Sequence, residues 1–271
     1  MQVSSAAIAK FRNLILDYYR EHGRTFAWRT TITPYHVFVS EVMLQQTQTY
    51  RVAPKFEAWI AAFPNFKELA DASQADILRL WQGLGYNRRA LALHRAAKTI
   101  AYDYAGQLPD EPALLQQLPG IGPATAASIT AFAFNKPTVF IETNIRAVFL
   151  HHFFPQQAGV SDKQLMPLVE QALVKEKARH WYYALMDYGV MLKKNVVNPS
   201  RKSRHHQTQS KFEGSERQIR GMILRHLTQE GSATFDEFCM AIDRDPVRIE
   251  KNLNALNQEG FLKQEQDRYV L

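Results

Sequence analysis

Apolar residues recur along the first half of the chain at the three-and-four spacing of amphipathic helices. Ile8, Phe11, Leu14, Ile15 and Tyr18 form one stripe, Leu78, Leu80, Trp81 and Leu84 a second, and Leu91, Leu93 and Ala97 a third. Short turns carrying proline or glycine separate them, at Pro64, Gly83-Leu84-Gly85, Gly106 and Pro109. Strand signals are sparse, so residues 5–134 predict an almost wholly helical region and the class is all-α. The periodicity disappears in 193-KKNVVNPSRKSRHHQTQSKFEGS-215. It returns with Ile219, Met222, Ile223 and Leu227 on one helix, then Phe235, Phe238 and Ile242 on a second that starts near Thr234. Ile249, Leu253, Leu256 and Phe261 mark a third, and Phe261-Leu262-Lys263 can pair with Arg268-Tyr269-Val270 as a hairpin. Three helices and a two-stranded wing form the winged-helix pattern. The predicted organisation is a main domain over 1–195, a basic linker or loop over 196–214, and a winged-helix-like domain over 215–271.

Composition sharpens this picture in three places. The hydrophobic fraction is 46%, as in soluble globular proteins, and no apolar run reaches the 18 or so residues of a membrane span. The amphipathic N-terminus has no basic lead-in to an apolar run, so no signal peptide is read and a cytoplasmic protein is expected. Cys239 is the single cysteine, which excludes an intrachain disulfide and any four-cysteine iron–sulfur or zinc site within one chain. The histidine pairs His151-His152 and His205-His206 lack the i, i+4 spacing of a zinc site, so no metal is expected. The net charge of +7 invites a polyanion. Six Lys/Arg and no acid lie between Lys193 and Phe212, whereas residues 213–271 carry eight bases against eleven acids. The basic character is concentrated in the aperiodic segment, with Arg201, Lys202 and Arg204 at its centre.

The sharpest motif is 114-LLQQLPGIGPATAASITAFAF-134. Pro119-Gly120-Ile121-Gly122 makes a tight turn, and Pro123 suits the first position of a helix of small residues. Such a turn points backbone N–H groups outward beside a helix N-terminus, an anion nest that can grip a DNA phosphate without reading sequence. Further on, 139-VFIETNIRAVF-149 has a strand-like approach, then Glu142 at the start of a helix. In 40-SEVMLQQTQT-49, Ser40 reads as an N-cap and Glu41 as the first helical residue. Glu41, Gln45 and Gln48 would then share one helical face. Two carboxylates in different surroundings can divide chemical work, one as acid and one as stabilising anion.

These motifs together resemble the helix-hairpin-helix base-excision DNA glycosylases. Upstream, 28-WRTTITPYHVFVSEVMLQQTQTYRVAPKFEAW-59, 81-WQGLGYNRRALALHRAA-97 and 184-ALMDYGVMLKK-194 look like the adenine glycosylase (MutY) branch, over roughly residues 10–195. The resemblance implies a two-lobed fold with the site in an interlobe cleft. It implies that Glu41 protonates the departing base, that Glu142 takes the place of the aspartate that stabilises the sugar cation, and that Asn144 holds that carboxylate or a backbone turn. It also implies duplex DNA with a mispaired or damaged base as partner. Contacts to DNA are expected from the hairpin residues Pro119, Gly120, Ile121 and Gly122, from Tyr86, Arg88 and Arg89, and from Gln45 or Gln46 filling the gap left by a flipped nucleotide.

The departures matter as much. The branch carries Asp where Glu142 stands and Gly where Thr143 stands. The extra methylene moves the carboxylate by roughly 1.5 Å. Ala124 occupies the position of the Schiff-base lysine of bifunctional relatives, so a monofunctional hydrolase without lyase activity is expected. Asn87 replaces an expected stacking aromatic. The basic segment stands where the branch has its iron–sulfur loop, so no cofactor is expected, with room left for a monovalent cation at the hairpin turn. The winged-helix-like segment stands where an 8-oxoguanine-reading domain is usual, and it offers a surface for a protein partner; a monomer is expected. The leading expectation is hydrolysis of adenine opposite guanine or 8-oxoguanine. The alternatives are a thymine or uracil mismatch glycosylase, and a lesion-binding protein without chemistry.

Overall fold

A computed structural model describes residues 3–207 and 211–271; the part of the basic segment at 208–210 lies outside the described residues. In chain order the helices are α1 (Ser5–His22), α2 (Ala27–Thr30), α3 (Pro34–Leu44), α4 (Thr49–Ala62), α5 (Phe66–Asp71), α6 (Gln74–Trp81) and α7 (Arg88–Asp103). Then come α8 (Pro112–Leu115), α9 (Pro123–Phe134), α10 (Thr143–Phe153), α11 (Asp162–Ala172) and α12 (Ala178–Asn195). The C-terminal part holds α13 (Glu216–Glu230), β1 (Ser232–Thr234), α14 (Phe235–Ala241), α15 (Pro246–Gln258), β2 (Lys263–Glu265) and β3 (Arg268–Val270). Helix accounts for 66% of the residues, which makes the class all-α. The chain divides into two compact units, each assembled from separate stretches of sequence.

The first unit takes its described residues from 3–41, 109–117 and 121–207. Helix α12 runs through its core, and buried aromatic side chains of α1, α9 and α10 pack on it. Phe132 stacks on Tyr183 with ring centroids 4.7 Å apart, and Phe11 meets Phe149 and Trp181 edge-on. Such aromatic pairs add specific geometry to the burial they provide. Asp187 of α12 is almost wholly buried and accepts from the Arg24 backbone N–H and from both the Arg24 and Arg29 guanidinium groups. Gly189 lies two residues on, and a Cβ there would stand 2.6 Å from the Asn144 carbonyl oxygen and 2.8 Å from its Cβ. Its missing side chain is what lets the N-terminus of α10 approach α12.

The basic segment does not behave as a tether where it is described. Pro199–Lys202 forms a 3-10 turn, Pro199 and Ser200 are buried, and the Ser200 hydroxyl donates to the Thr143 carbonyl. Ser203 pairs with Val160 in a parallel bridge, and the Lys202 ammonium donates to the Pro155 carbonyl. The aperiodic sequence concealed this because individual hydrogen bonds to Thr143, Pro155 and Val160, rather than an apolar stripe, hold the segment in place.

The second unit comprises 42–108, 118–120 and 211–271 in its described part. Trp59 and Trp81 meet edge-on at 5.6 Å in its core. The winged module shares this unit with 42–108 rather than standing apart from a main domain over 1–195, and a capping box at Thr234 starts its α14. Its sheet differs from the expectation in two ways. A third strand, β1, completes the order β1-β3-β2, and β3 pairs antiparallel with Lys263–Glu265 rather than with Phe261–Lys263. Phe261 and Leu262 are buried as core residues before the strand begins, which explains the shift. Within the unit, Gln74 donates to the Gly260 and Phe261 carbonyls, Gln82 donates to Thr228, and Glu259 receives both Arg88 and Arg220. The Arg88 hydrogen bond, followed by that of Arg220, holds the Glu259 carboxyl down at about 2.

Replacing a helical glycine by alanine usually stabilises. At Gly189 the opposite is expected, because the added methyl must displace the Asn144 backbone, an overpacking that costs about 1–3 kcal/mol. A thermal melt of Gly189→Ala checks this; a Tm at or above that of the parent would refute it.

Candidate active site

Helix α3 reaches back to Pro34, so Ser40 and Glu41 lie in its interior rather than at its start. Ser40 is buried and its hydroxyl donates to the Val37 carbonyl, so it caps nothing. The helix stops at Leu44, Gln45 and Gln46 fall in a turn, and Gln48 is the N-cap residue of α4. The common face expected for Glu41, Gln45 and Gln48 therefore does not exist. Glu41 instead points into the first unit, where the Ser128 hydroxyl of α9 donates to its Oε2 at 2.6 Å.

Glu142 is the N-cap of α10. One oxygen accepts from the Asn144 and Ile145 backbone N–H groups at 2.7 and 2.8 Å, and the other from the Asn144 side-chain amide at 3.1 Å. The run before it is extended but forms no strand. The extra methylene of Glu over Asp is absorbed by folding the carboxylate back onto its own helix terminus, where the dipole favours an anion. The Asn144 side chain thus touches the Glu142 carboxylate through its amide, and its Oδ1 remains buried without a hydrogen-bond partner.

The two acids have different surroundings. Burial pushes the Glu41 carboxyl up to about 7, and the negative charge of Glu142 adds to the rise, against the Ser128 hydrogen bond and the Arg29 charge. Burial also raises Glu142, but two backbone N–H groups and the charges of Lys193 and Arg146 draw it back. Lys193 is half-buried one helical turn beyond Gly189, and burial lowers its ammonium while Glu142 supports the charge. Arg29 lies with its guanidinium 4.4 Å from the Tyr183 ring centroid and 5.2 Å from that of Phe26. Tyr183 is raised by burial and by the Glu41 charge. Two carboxyls that burial raises, two cations and a phenol therefore meet in one unit.

Ser128, Arg29, Asp187, Lys193 and Gly189 escaped the reading of the sequence as site or scaffold residues. Asp187 left a trace, a single acid within the apolar run ALMDYGVML. Ser128 left none, because a serine among alanines reads as close packing.

At the hairpin, Gly120 has φ +79 and a Cβ there would stand 2.8 Å from Ala92 Cβ, so glycine is required on both counts. Gly122 is the N-cap of α9 and Pro123 its first residue, and no side chain caps that terminus. Ile121 is buried, so only its backbone can face a phosphate, and Pro119 is partly buried. Gln45 donates to the Gly120 carbonyl, whereas Gln46 is exposed at φ +55. Arg89 does not reach outward as expected. It donates to the carbonyls of Val42, Met43, Leu84 and Gly85 and to the Thr47 hydroxyl, a scaffold for the turn after α3. Arg88 is exposed but paired with Glu259, and the Tyr86 hydroxyl accepts from Arg217 at 2.8 Å. Arg201 and Arg204 are exposed. Among the described residues no cluster of His, Cys, Asp or Glu suited to a metal occurs, and no helix is long and apolar enough to cross a membrane.

An all-α fold with a glycine hairpin and two enclosed carboxylates defines a class of DNA-repair proteins, and comparison with known proteins agrees. The family described as HhH-GPD superfamily base excision DNA repair protein matches residues 39–173, and the chain belongs to that superfamily. It is 33% identical over 187 residues to an adenine DNA glycosylase of Buchnera aphidicola, covering 67% of this chain and 52% of the relative. An adenine DNA glycosylase of Mycolicibacterium smegmatis is 29% identical over 276 residues, covering 93% of this chain and 92% of the relative. The chain spans about half the length of the first curated relatives it matches, the M. smegmatis protein being matched over nearly its full length. Among solved structures, that of a thermostable thymine-DNA glycosylase superposes with a TM-score of 0.63 over 73% of this chain and 92% of the other, at 23% identity, a likeness of fold.

The raised Glu41 carboxyl has a consequence for stability. Its folded value near 7 exceeds the ordinary 4.5, so between these pH values the folded state binds more protons than the unfolded one. Stability is then greatest below pH 4.5 as far as this group is concerned and falls as pH rises to 7, by about 3 kcal/mol. Glu41→Gln should flatten that part of the profile and be the more stable protein at pH 7. Parallel thermal melts from pH 5 to 8 check this, and parallel curves for the two proteins would refute it.

Proposed function

We propose that the protein is a monofunctional DNA glycosylase of base excision repair, hydrolysing the N-glycosidic bond of a mispaired adenine opposite guanine or 8-oxoguanine. The observation that carries the reading is a pair of half-buried carboxyls with different hydrogen-bond partners, the Ser128 hydroxyl on Glu41 and two backbone N–H groups on Glu142. Glu41 is held near 7, with a proton to give at neutral pH, while Glu142 has N–H donors, a helix terminus and two cations to support its charge. Glu41 protonates the base as the glycosidic bond breaks. Glu142 stabilises the cationic sugar and orients the attacking water, and Asn144 holds Glu142 in place. Ala124 at the start of α9 offers no amine for a Schiff base. The names of the curated relatives favour adenine as the base.

DNA is gripped at the hairpin turn from Pro119 to Gly122, with Gln45, Gln46 and Tyr86 as further DNA contacts and Arg88 available once it leaves Glu259. Arg201, Lys202 and Arg204 supply the positive charge that a cluster loop would otherwise present, and the reaction requires no cofactor.

A strand-scission assay on duplexes with A opposite 8-oxoguanine, A·G, G·T and G·U, followed by alkali, tests the reading. Cleavage of the adenine strand only after alkali is expected, whereas cleavage before alkali would overturn the monofunctional assignment. Scission only in G·T or G·U would transfer the activity to thymine or uracil, and tight binding without any scission would leave a lesion sensor. Glu41→Gln and Glu142→Gln should each abolish turnover while leaving duplex affinity within a few-fold; full activity in Glu142→Gln would place the centre elsewhere.

The triple change of Arg201, Lys202 and Arg204 to alanine should weaken duplex binding and reduce the slope of log affinity against log salt by about two. An unchanged slope would leave the segment a structural role only.

A further inference from the structure

Helix α9 does two things at once. It begins at the glycine turn, and its second turn faces the half-buried acid. Three polar side chains interrupt its run of alanine and aromatic residues, namely Thr125, Ser128 and Thr130. Thr130 satisfies itself within the helix, donating to the Ala126 carbonyl at 2.9 Å. Ser128 differs. Its hydroxyl lies 3.0 Å from the Thr125 carbonyl but 2.6 Å from Glu41 Oε2, and the residue is 5% exposed. A serine hydroxyl carries one hydrogen, and a carbonyl can only accept. The shorter contact is the one made to the carboxyl.

We propose that Ser128 is the positioning residue of the acid: by donating to Oε2 it leaves Oε1 as the oxygen that carries the transferable proton, and it steadies the carboxylate left behind. The inference rests on the proposed role of Glu41. In the resting state the Ser128 hydrogen is shared between Thr125 and a neutral Oε2. When the Oε1 proton passes to the leaving base, Glu41 becomes an anion and the Ser128 hydrogen bond becomes charge-assisted, shorter and stronger. Ser128 keeps its own proton throughout, so one proton leaves Oε1, one arrives on the base and none is gained by the serine. The other titratable groups facing Glu41 come from separate elements, Arg29 from α2, Glu142 before α10 and the neutral phenol of Tyr183 from α12. Among these, Arg29 alone also favours the anion, and it gives no hydrogen bond to Glu41 that could choose between the two oxygens.

The test uses the full chain with carboxyl-labelled glutamate, following Glu41 by carbon NMR as pH is varied, with Glu41→Gln to assign the signal. Ser128→Ala, which replaces one good helix residue by a better one, should raise the Glu41 midpoint by about one pH unit, and Ser128→Thr should restore it. In single-turnover assays Ser128→Ala should slow base release by roughly tenfold, and the alkaline limb should move to higher pH. That direction follows because activity needs protonated Glu41 and is lost as pH rises through its midpoint. An unmoved midpoint in Ser128→Ala overturns the proposal whatever the activity. If no duplex is cleaved even by the parent, the proposed function fails, while the midpoint still decides whether Ser128 governs Glu41.

Discussion

Asp187 lies deep in the first unit with two guanidinium groups folded over it, Arg24 and Arg29, and with the Arg24 backbone N–H as a further donor. Of the two cations, Arg24 keeps 30% of its side chain exposed to water, while the more buried Arg29 guanidinium rests on the rings of Phe26 and Tyr183. The arrangement ties α12 to the chain leading into α3, the helix that carries Glu41. Removing one partner from such a cluster costs more than the pair contributes, since the remaining charges are left in a medium that cannot solvate them. The same Arg29 that is fixed by Asp187 opposes the rise of Glu41. Scaffold and site electrostatics are thus one object.

The second carboxylate is governed by geometry more than by charge. Glu142 completes the N-terminus of α10, and α10 can approach α12 only because Gly189 has no side chain. The substitution of Glu for Asp, which looked like a threat to the site, is met by curling the longer side chain onto two backbone donors. The position of the carboxylate is then set by the helix end rather than by the length of the side chain.

Much of this was legible in the sequence for definite reasons. Helical periodicity identified the all-α class, and Gly120 of the hairpin announced a turn that only glycine can make. The winged module was visible in its apolar stripes, but β1 was not, since three residues with one buried alanine carry no alternation to read. Glu41 was found through resemblance while its local setting was misread, because Ser-Glu after an apolar run looks like a helix start when the helix has in fact begun at Pro34. Arg89 illustrates the general limit. An arginine beside a glycine turn reads equally as a phosphate ligand or as a clamp on carbonyls, and only the packed chain shows the latter. Ser128 and Lys193 act across the fold, at distances along the chain that no local pattern encodes.

The interleaving of the two units bears on how the chain acquires its structure during synthesis. Arg24 and Arg29 emerge from the ribosome more than 150 residues before Asp187, their partner, and the stretch 42–108 precedes the winged module with which it shares a unit by a comparable distance. Neither unit can close on its own nascent segment, so loop closure over long separations must precede the reward of burial. Until Asp187 is made, the cations that pair with it and the aromatic faces they cover have no native partner on that helix.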